Sequence, residues 1–106
     1  MNYEIRMTPQ AKADLQNIYE YIACNLQSPQ HAAGQLDLLE ESIASLIQMP
    51  KRFRVYDKET WKSRNLRIMP VDNYLVFYIP SNETGIVTVI RVMYGGRDID
   101  HQLRNM

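Results

Sequence analysis

A single cysteine, Cys24, stands in this chain of 106 residues, so no disulfide can form within it. That usage fits a reducing cytoplasm without requiring one. No apolar run approaches the roughly 20 residues that span a bilayer. The opening residues, Met1 to Arg6, hold no apolar stretch of the signal-peptide kind. The expectation is a cytoplasmic protein with no leader and no membrane partner. The two histidines and the one cysteine have no metal-ligand spacing, so neither a metal nor another cofactor is expected. No internal repeat or low-complexity segment is present. An apolar fraction of 45% and a charged fraction of 23% exclude a disordered chain. The length is close to the modal domain size, so residues 1–106 are expected to form a single domain.

Net charge is also absent, but the zero conceals a division. Residues 1–50 hold two bases and six acids, and residues 51–106 hold ten bases and six acids. The densest stretch is 51–67, with Lys51, Arg52, Arg54, Lys58, Lys62, Arg64 and Arg67 against Asp57 and Glu59. Two readings compete: a site for a polyanion or acidic partner, or a solvated basic loop on a molecule whose halves attract each other.

Tyr3, Ile5 and Met7 alternate with polar residues, the pattern of a half-buried strand. Thr8 and Pro9 then open a helix as N-cap and first helical residue. Ala11, Leu15, Ile18, Ile22 and Leu26 recur at helical spacing and should share one buried face. Ser28 and Pro29 repeat the start signal. Ala32, Leu36, Leu39, Ile43 and Leu46 form a second stripe, which Met49 and Pro50 end. With almost no loop between them, the helices must fold back as an antiparallel hairpin.

Residues 51–63 are irregular, basic and aromatic, and read as a loop or short crossing. Strands follow at about 65–70, 73–79 and 86–93, separated by the turn signals Asp72–Asn73 and Ser81 to Gly85. The last strand is nearly all apolar, which suits a central position. After Gly95 and Gly96, residues 97–104 can form a short terminal helix. The order β-α-α-β-β-β-α describes an α+β domain, a helical hairpin packed on a small, mainly antiparallel sheet. One sheet face should be covered and the other open.

Four stretches carry a family resemblance: Thr8 to Leu15 with Ile18, Tyr21 and Ile22; Leu66 to Val71; Tyr74 to Tyr78; and Val89 to Asp98. In this order they resemble the RelE/ParE superfamily, the toxic halves of bacterial type II toxin–antitoxin pairs. The resemblance covers nearly the whole chain and is thinnest over 51–63. It implies one of two activities. RelE-like members cleave messenger RNA on the ribosome without metal, which requires an activated 2′-hydroxyl and stabilisation of the phosphorane charge. ParE-like members poison DNA gyrase. The RelE-like pattern carries a Lys-x-Lys pair and an arginine just after a tyrosine. The matching positions here are Arg67, Met69 and, after Tyr74, Leu75, so one basic group of three remains. The long hairpin and the segment from Val92 to Asp100 resemble the ParE-like branch more closely.

Arginines recur where the pattern calls for apolar residues. Arg91 should share a strand face with Val87, Val89 and Met93. It must then either reach an acid such as Asp98 or Asp100 or face an open side, because a buried, unpaired guanidinium is costly. Asp98 suits the start of the terminal helix, whereas Arg97 opposes the helix dipole there and reads as a partner contact. Tyr74 and Tyr78 read as core residues and Tyr94 as exposed. Trp61 is either a cover over the core or an interface anchor. His31 should face solvent, and Cys24 should pack in or beside the core. For a ribonuclease, the resemblance implies Arg67, Arg97 and His101 as catalytic groups, with Arg91 and Tyr94 beside them. A plain surface histidine is the alternative for His101. Arg64, Arg67, Arg91, Tyr94, Arg97 and Trp61 are the expected partner-binding residues.

Three functions follow from the resemblance: a gyrase poison, a ribosome-dependent messenger-RNA endoribonuclease, or a degenerate toxin that only binds its antitoxin. All three imply a cognate antitoxin, whose amphipathic segment would lie along the open groove or the hairpin. Direct DNA binding by the basic loop is the less favoured reading, because no recognisable reading helix accompanies it.

Overall fold

Thr8 fixes both the first helix and its attachment. In the computed structural model, which describes residues 2–95 and Leu103, the Thr8 backbone is extended and its Oγ1 accepts the Ala11 N–H at 3.0 Å. Pro9, whose missing N–H is no loss at a helix start, opens α1 (Pro9–Glu20). The Thr8 hydroxyl also donates to the Ile90 carbonyl at 2.8 Å, and the Thr8 N–H donates to the Val89 carbonyl at 3.0 Å. One residue thus caps a helix and ties it to the sheet.

The end of α1 departs from the expected stripe. A π-helical turn, Tyr21–Asn25, follows, in which the Leu26 N–H donates to the Tyr21 carbonyl at 3.1 Å. Such a turn holds one residue more than the α-helical period allows. The extra residue rotates Leu26 off the buried face, and it is 56% exposed. Cys24, in the same turn, is exposed rather than packed against the core. Gln27 reverses the chain in left-handed backbone (φ 54°). Then α2 (Pro29–Ala44) begins, with the Ser28 carbonyl accepting the Ala32 N–H at 3.0 Å and no side-chain cap. The second stripe faces inward as expected: Ala32, Leu39, Ile43 and Leu46 are buried.

The sheet contains β1 (Glu4–Met7), β2 (Arg67–Val71), β3 (Tyr74–Ser81) and β4 (Ile86–Tyr94), in the order β1-β4-β3-β2. β4 runs parallel to β1 and antiparallel to β3, and β2 pairs antiparallel with β3. The near-continuous apolar strand is therefore an inner one. The architecture is α+β, two helices on a four-stranded mixed sheet. Apart from Leu103, the terminal helix expected over 97–104 lies outside the described residues. Among the described residues, no helix is long and apolar enough to cross a membrane.

Two features revise the sequence reading of the sheet. Phe77 pairs with Arg91 whereas Tyr78 pairs with Val89, so Ile90 is an extra residue in β4. A bulge of this kind breaks side-chain alternation. Val87, Val89 and Val92 join the core beneath the helices, with Ala11, Leu39 and Tyr78. Ile90 and Met93 join a second cluster with Leu66, Ile68, Phe77 and Leu103. The single face expected to hold Val87, Val89, Arg91 and Met93 does not exist. Nor is the far face of the sheet open. β3 and β4 carry apolar residues at both parities, and Tyr56, Leu66 and the partly buried Trp61 of the irregular crossing cover the side away from the helices.

Candidate functional site

β1 ends at Met7, opposite Val89, so β4 continues past its parallel neighbour. Two residues of the Thr8–α1 segment take over there. Thr8 satisfies the Ile90 carbonyl, and Asp14 Oδ2 accepts the Val92 N–H at 2.9 Å. The Asp14 carboxylate also receives the Arg91 fork, Nε to Oδ2 at 2.7 Å and Nη2 to Oδ1 at 2.9 Å. Both side chains are mostly buried, 17% and 12% exposed for Arg91 and Asp14. The hydrogen bond to Asp14 holds the Arg91 pKa above its ordinary value, against the opposing pull of burial. Arg91 is therefore satisfied inside the molecule by an acid 77 residues away; Asp98 and Asp100, the acids expected from the sequence, lie outside the described residues.

Beyond this pair lies a groove of about 710 Å³. The π-helical turn contributes Tyr21 and Ile22 to its wall, α2 contributes His31 and Gln35, and the strands contribute Tyr74 and Tyr94. Tyr74 and Tyr94 face each other across β3 and β4 as an edge-to-face pair, centroids 5.9 Å apart. Tyr21 and Tyr94 remain 52% and 49% exposed, a large apolar area to leave in water. Gln35 Nε2 is buried without a hydrogen-bond partner among the described residues. His31 faces solvent as expected, but at the rim of this groove.

The other candidate residues lie on the crossing between α2 and β2. Arg67 Nη1 donates to the Lys51 carbonyl at 2.9 Å and to the Phe53 carbonyl at 2.7 Å, and Nη2 donates to Asn65 Oδ1 at 3.3 Å. Its guanidinium clamps two limbs of the crossing together. Arg52 closes the end of α2 in the same way, donating to the Gln48 carbonyl at 2.7 Å and the Ser45 Oγ at 2.8 Å. Nearby, the Tyr78 hydroxyl donates to the Pro50 carbonyl at 2.5 Å. Burial pushes its pKa up to about 12, with Arg67 and Arg52 pulling the other way. Arg64 lies over the Trp61 ring, 5.1 Å from its centroid. The structure thus separates the candidate set. Arg91 and Tyr94 belong to the groove, Arg64, Arg67 and Trp61 belong to the crossing, and Arg97 and His101 lie outside the described residues.

The family model for the ParE toxin of type II toxin–antitoxin systems (parDE) matches residues 5–99. The chain belongs to the ParE toxin family. Solved structures agree on the fold of this toxin. The chromosomal ParDE system of P. aeruginosa is similar with a TM-score of 0.71 and 17% identity, over 87% of this chain and 95% of that one. The toxin–antitoxin complex RelBE2 of Mycobacterium tuberculosis gives 0.63 and 19%, over 89% and 99%. A free E. coli RelE mutant gives 0.66 and 12%, over 100% and 99%. No curated protein matches the sequence.

Asp14 is a site residue that the sequence pattern marks. It lies three residues after Ala11 and four before Ile18, on the apolar stripe of α1. An acid on a buried helical face and an arginine in an apolar strand are natural partners, and that pairing was the available signal. Tyr21 and Gln35 carried no comparable mark, because the π-helical turn that places Tyr21 is invisible in the apolar spacing.

Proposed function

We propose that this ParE-family toxin halts growth by protein contact with DNA gyrase, and that a cognate antitoxin silences it by laying an amphipathic segment in the groove. The observation carrying the gyrase reading is the state of Arg67. It is the one base that matches the ribonuclease-like pattern, and its guanidinium is spent on the carbonyls of Lys51 and Phe53. Met69, at a second matching position, is buried in the core beneath the helices. Leu75, at the third, packs against the far cluster. Metal-free RNA cleavage needs free cations and a proton donor around one phosphate, and these three positions supply neither. For the antitoxin, the support is the exposed apolar wall of Tyr21, Leu26 and Tyr94, which suits the apolar side of a helix or strand.

Purified toxin added to gyrase should block supercoiling and accumulate cleaved-DNA complexes. In cells induced without antitoxin, DNA synthesis should fall first while translation continues. Early loss of protein synthesis would favour the ribonuclease reading, and an absence of any growth defect would favour a degenerate toxin. Tyr21→Glu combined with Tyr94→Glu should weaken antitoxin binding at least tenfold.

A further inference from the structure

The seven bases of 51–67 are not equivalent in the folded molecule. Arg52 and Arg67 are bound to backbone carbonyls, as described above. Lys51, Arg54, Lys62 and Arg64 are exposed and form no ion pair among the described residues. Of the two acids in this segment, Glu59 is held at the Ser63 N–H by a 2.8 Å hydrogen bond. The four free bases come from two limbs that the backbone holds side by side. The Tyr56 N–H donates to the Leu66 carbonyl at 2.8 Å, the Ile68 N–H donates to the Arg54 carbonyl at 3.1 Å, and Arg67 bridges Lys51, Phe53 and Asn65. A crossing tied in this way, with four exposed basic side chains, concentrates positive charge on this segment of the surface.

The chemistry of this face selects its partner. The large exposed apolar side chains nearest in sequence, Ile47 and Met49, precede the segment, and within 51–67 there is none to anchor a protein interface. Its aromatic rings are also committed. Tyr56 is buried, Trp61 packs on the far cluster beneath Arg64, and Phe53 packs on the core with Arg52 over its ring. No free ring remains on which an unpaired base could stack, so single strands are poorly served. We infer that the face of Lys51, Arg54, Lys62 and Arg64 binds the phosphate backbone of duplex DNA without reading its sequence. Phosphate contact needs no reading helix. The inference deepens the gyrase reading and rests on it for its biological place: the toxin would grip the duplex that gyrase holds.

The test needs no gyrase. Free toxin is titrated into a fluorescein-labelled 30-base-pair duplex, and anisotropy is followed from about 50 to 200 mM KCl. Four phosphate contacts predict a log–log salt slope of about −3.6, or roughly 100-fold weaker binding across that range. Duplexes of unrelated sequence should bind within about twofold of each other. Replacing all four residues with glutamine (Lys51→Gln, Arg54→Gln, Lys62→Gln, Arg64→Gln) should abolish binding, and Lys62→Gln alone should flatten the slope by about 0.9. Circular dichroism and a cooperative urea transition with an unshifted midpoint establish that the variants are folded. An unchanged quadruple variant, a flat slope, or tighter binding to single-stranded RNA overturns the inference. If the toxin spares gyrase but the salt slope holds, the gyrase reading fails and the DNA face stands. If it poisons gyrase but binds no duplex, the face fails alone.

Discussion

Replacing Asp14 with alanine removes the acceptor for three hydrogen bonds at once, two from Arg91 and one from the Val92 N–H. Each bond to a charged group contributes about 1.5–3 kcal/mol. These terms do not add, because Arg91 turns partly to water when its partner is gone. The residual exposure of 17% and 12% places the pair between a surface bridge and a buried one. Breaking a fully buried pair costs about 3–5 kcal/mol, so about 3 kcal/mol is expected here. For a domain of this length that lowers Tm by about 12 °C. Asp14→Asn keeps one acceptor oxygen for the Val92 N–H and Arg91 Nε but sets an amide NH2 against Arg91 Nη2, so it should recover only part of the loss.

A double-mutant cycle separates the pair from its surroundings. Asp14→Ala, Arg91→Ala and the double variant are unfolded in urea, and the coupling energy is read from the difference. It should be at least about 1.5 kcal/mol, and it should change little between 0.1 and 1 M salt because a mostly buried pair is weakly screened. A coupling below about 0.5 kcal/mol would refute the argument that this pair secures α1 to the uncovered edge of β4.

Thr8→Ala deletes the helix cap and the bond to Ile90 together and should cost about 2 kcal/mol in urea unfolding, most of it restored by Thr8→Ser. Tyr78 supplies a pH prediction. Its folded pKa of about 12 exceeds the unfolded value of 10.0, so its stabilising contribution is whole below pH 10 and is lost as pH rises towards 12. The loss should reach about 3 kcal/mol, and in Tyr78→Phe, which also strands the buried Pro50 carbonyl, stability should no longer fall across that window through this group. Gln27→Gly relieves a left-handed residue at the end of the π-helical turn and should raise stability by about 1 kcal/mol, seen as a later urea midpoint.

The elements were legible because the signals that specify them are local. Thr8–Pro9, Ser28–Pro29 and the stripes of α1 and α2 fixed both helices, and Asp72–Asn73 fixed the β2–β3 turn. The structure departs from the sequence pattern wherever one residue is inserted into a period. The π-helical turn turned Leu26 outward, and the bulge at Ile90 divided the face that Arg91 was expected to share. Neither insertion changes the residue types, so period counting cannot detect it. The covered far face departs from the pattern for another reason. Tyr56, Trp61 and Leu66 lie in a segment without periodicity, and only the sheet above them makes them a core.

The groove and the basic face follow from one division of labour among the arginines. An arginine among apolar residues suggests a ligand only while its charge lacks a partner inside the molecule. Arg91 finds Asp14, and Arg67 and Arg52 find the carbonyls of an irregular crossing that has too few backbone partners of its own. A guanidinium suits that task better than lysine, since one rigid fork satisfies two or three acceptors at once. The bases left over sit at Lys51, Arg54, Lys62 and Arg64, where no carbonyl or carboxylate among the described residues claims them. The contact surfaces proposed for this toxin are therefore the charges on the crossing that the fold does not use, together with the apolar rings of Tyr21 and Tyr94 that it does not bury.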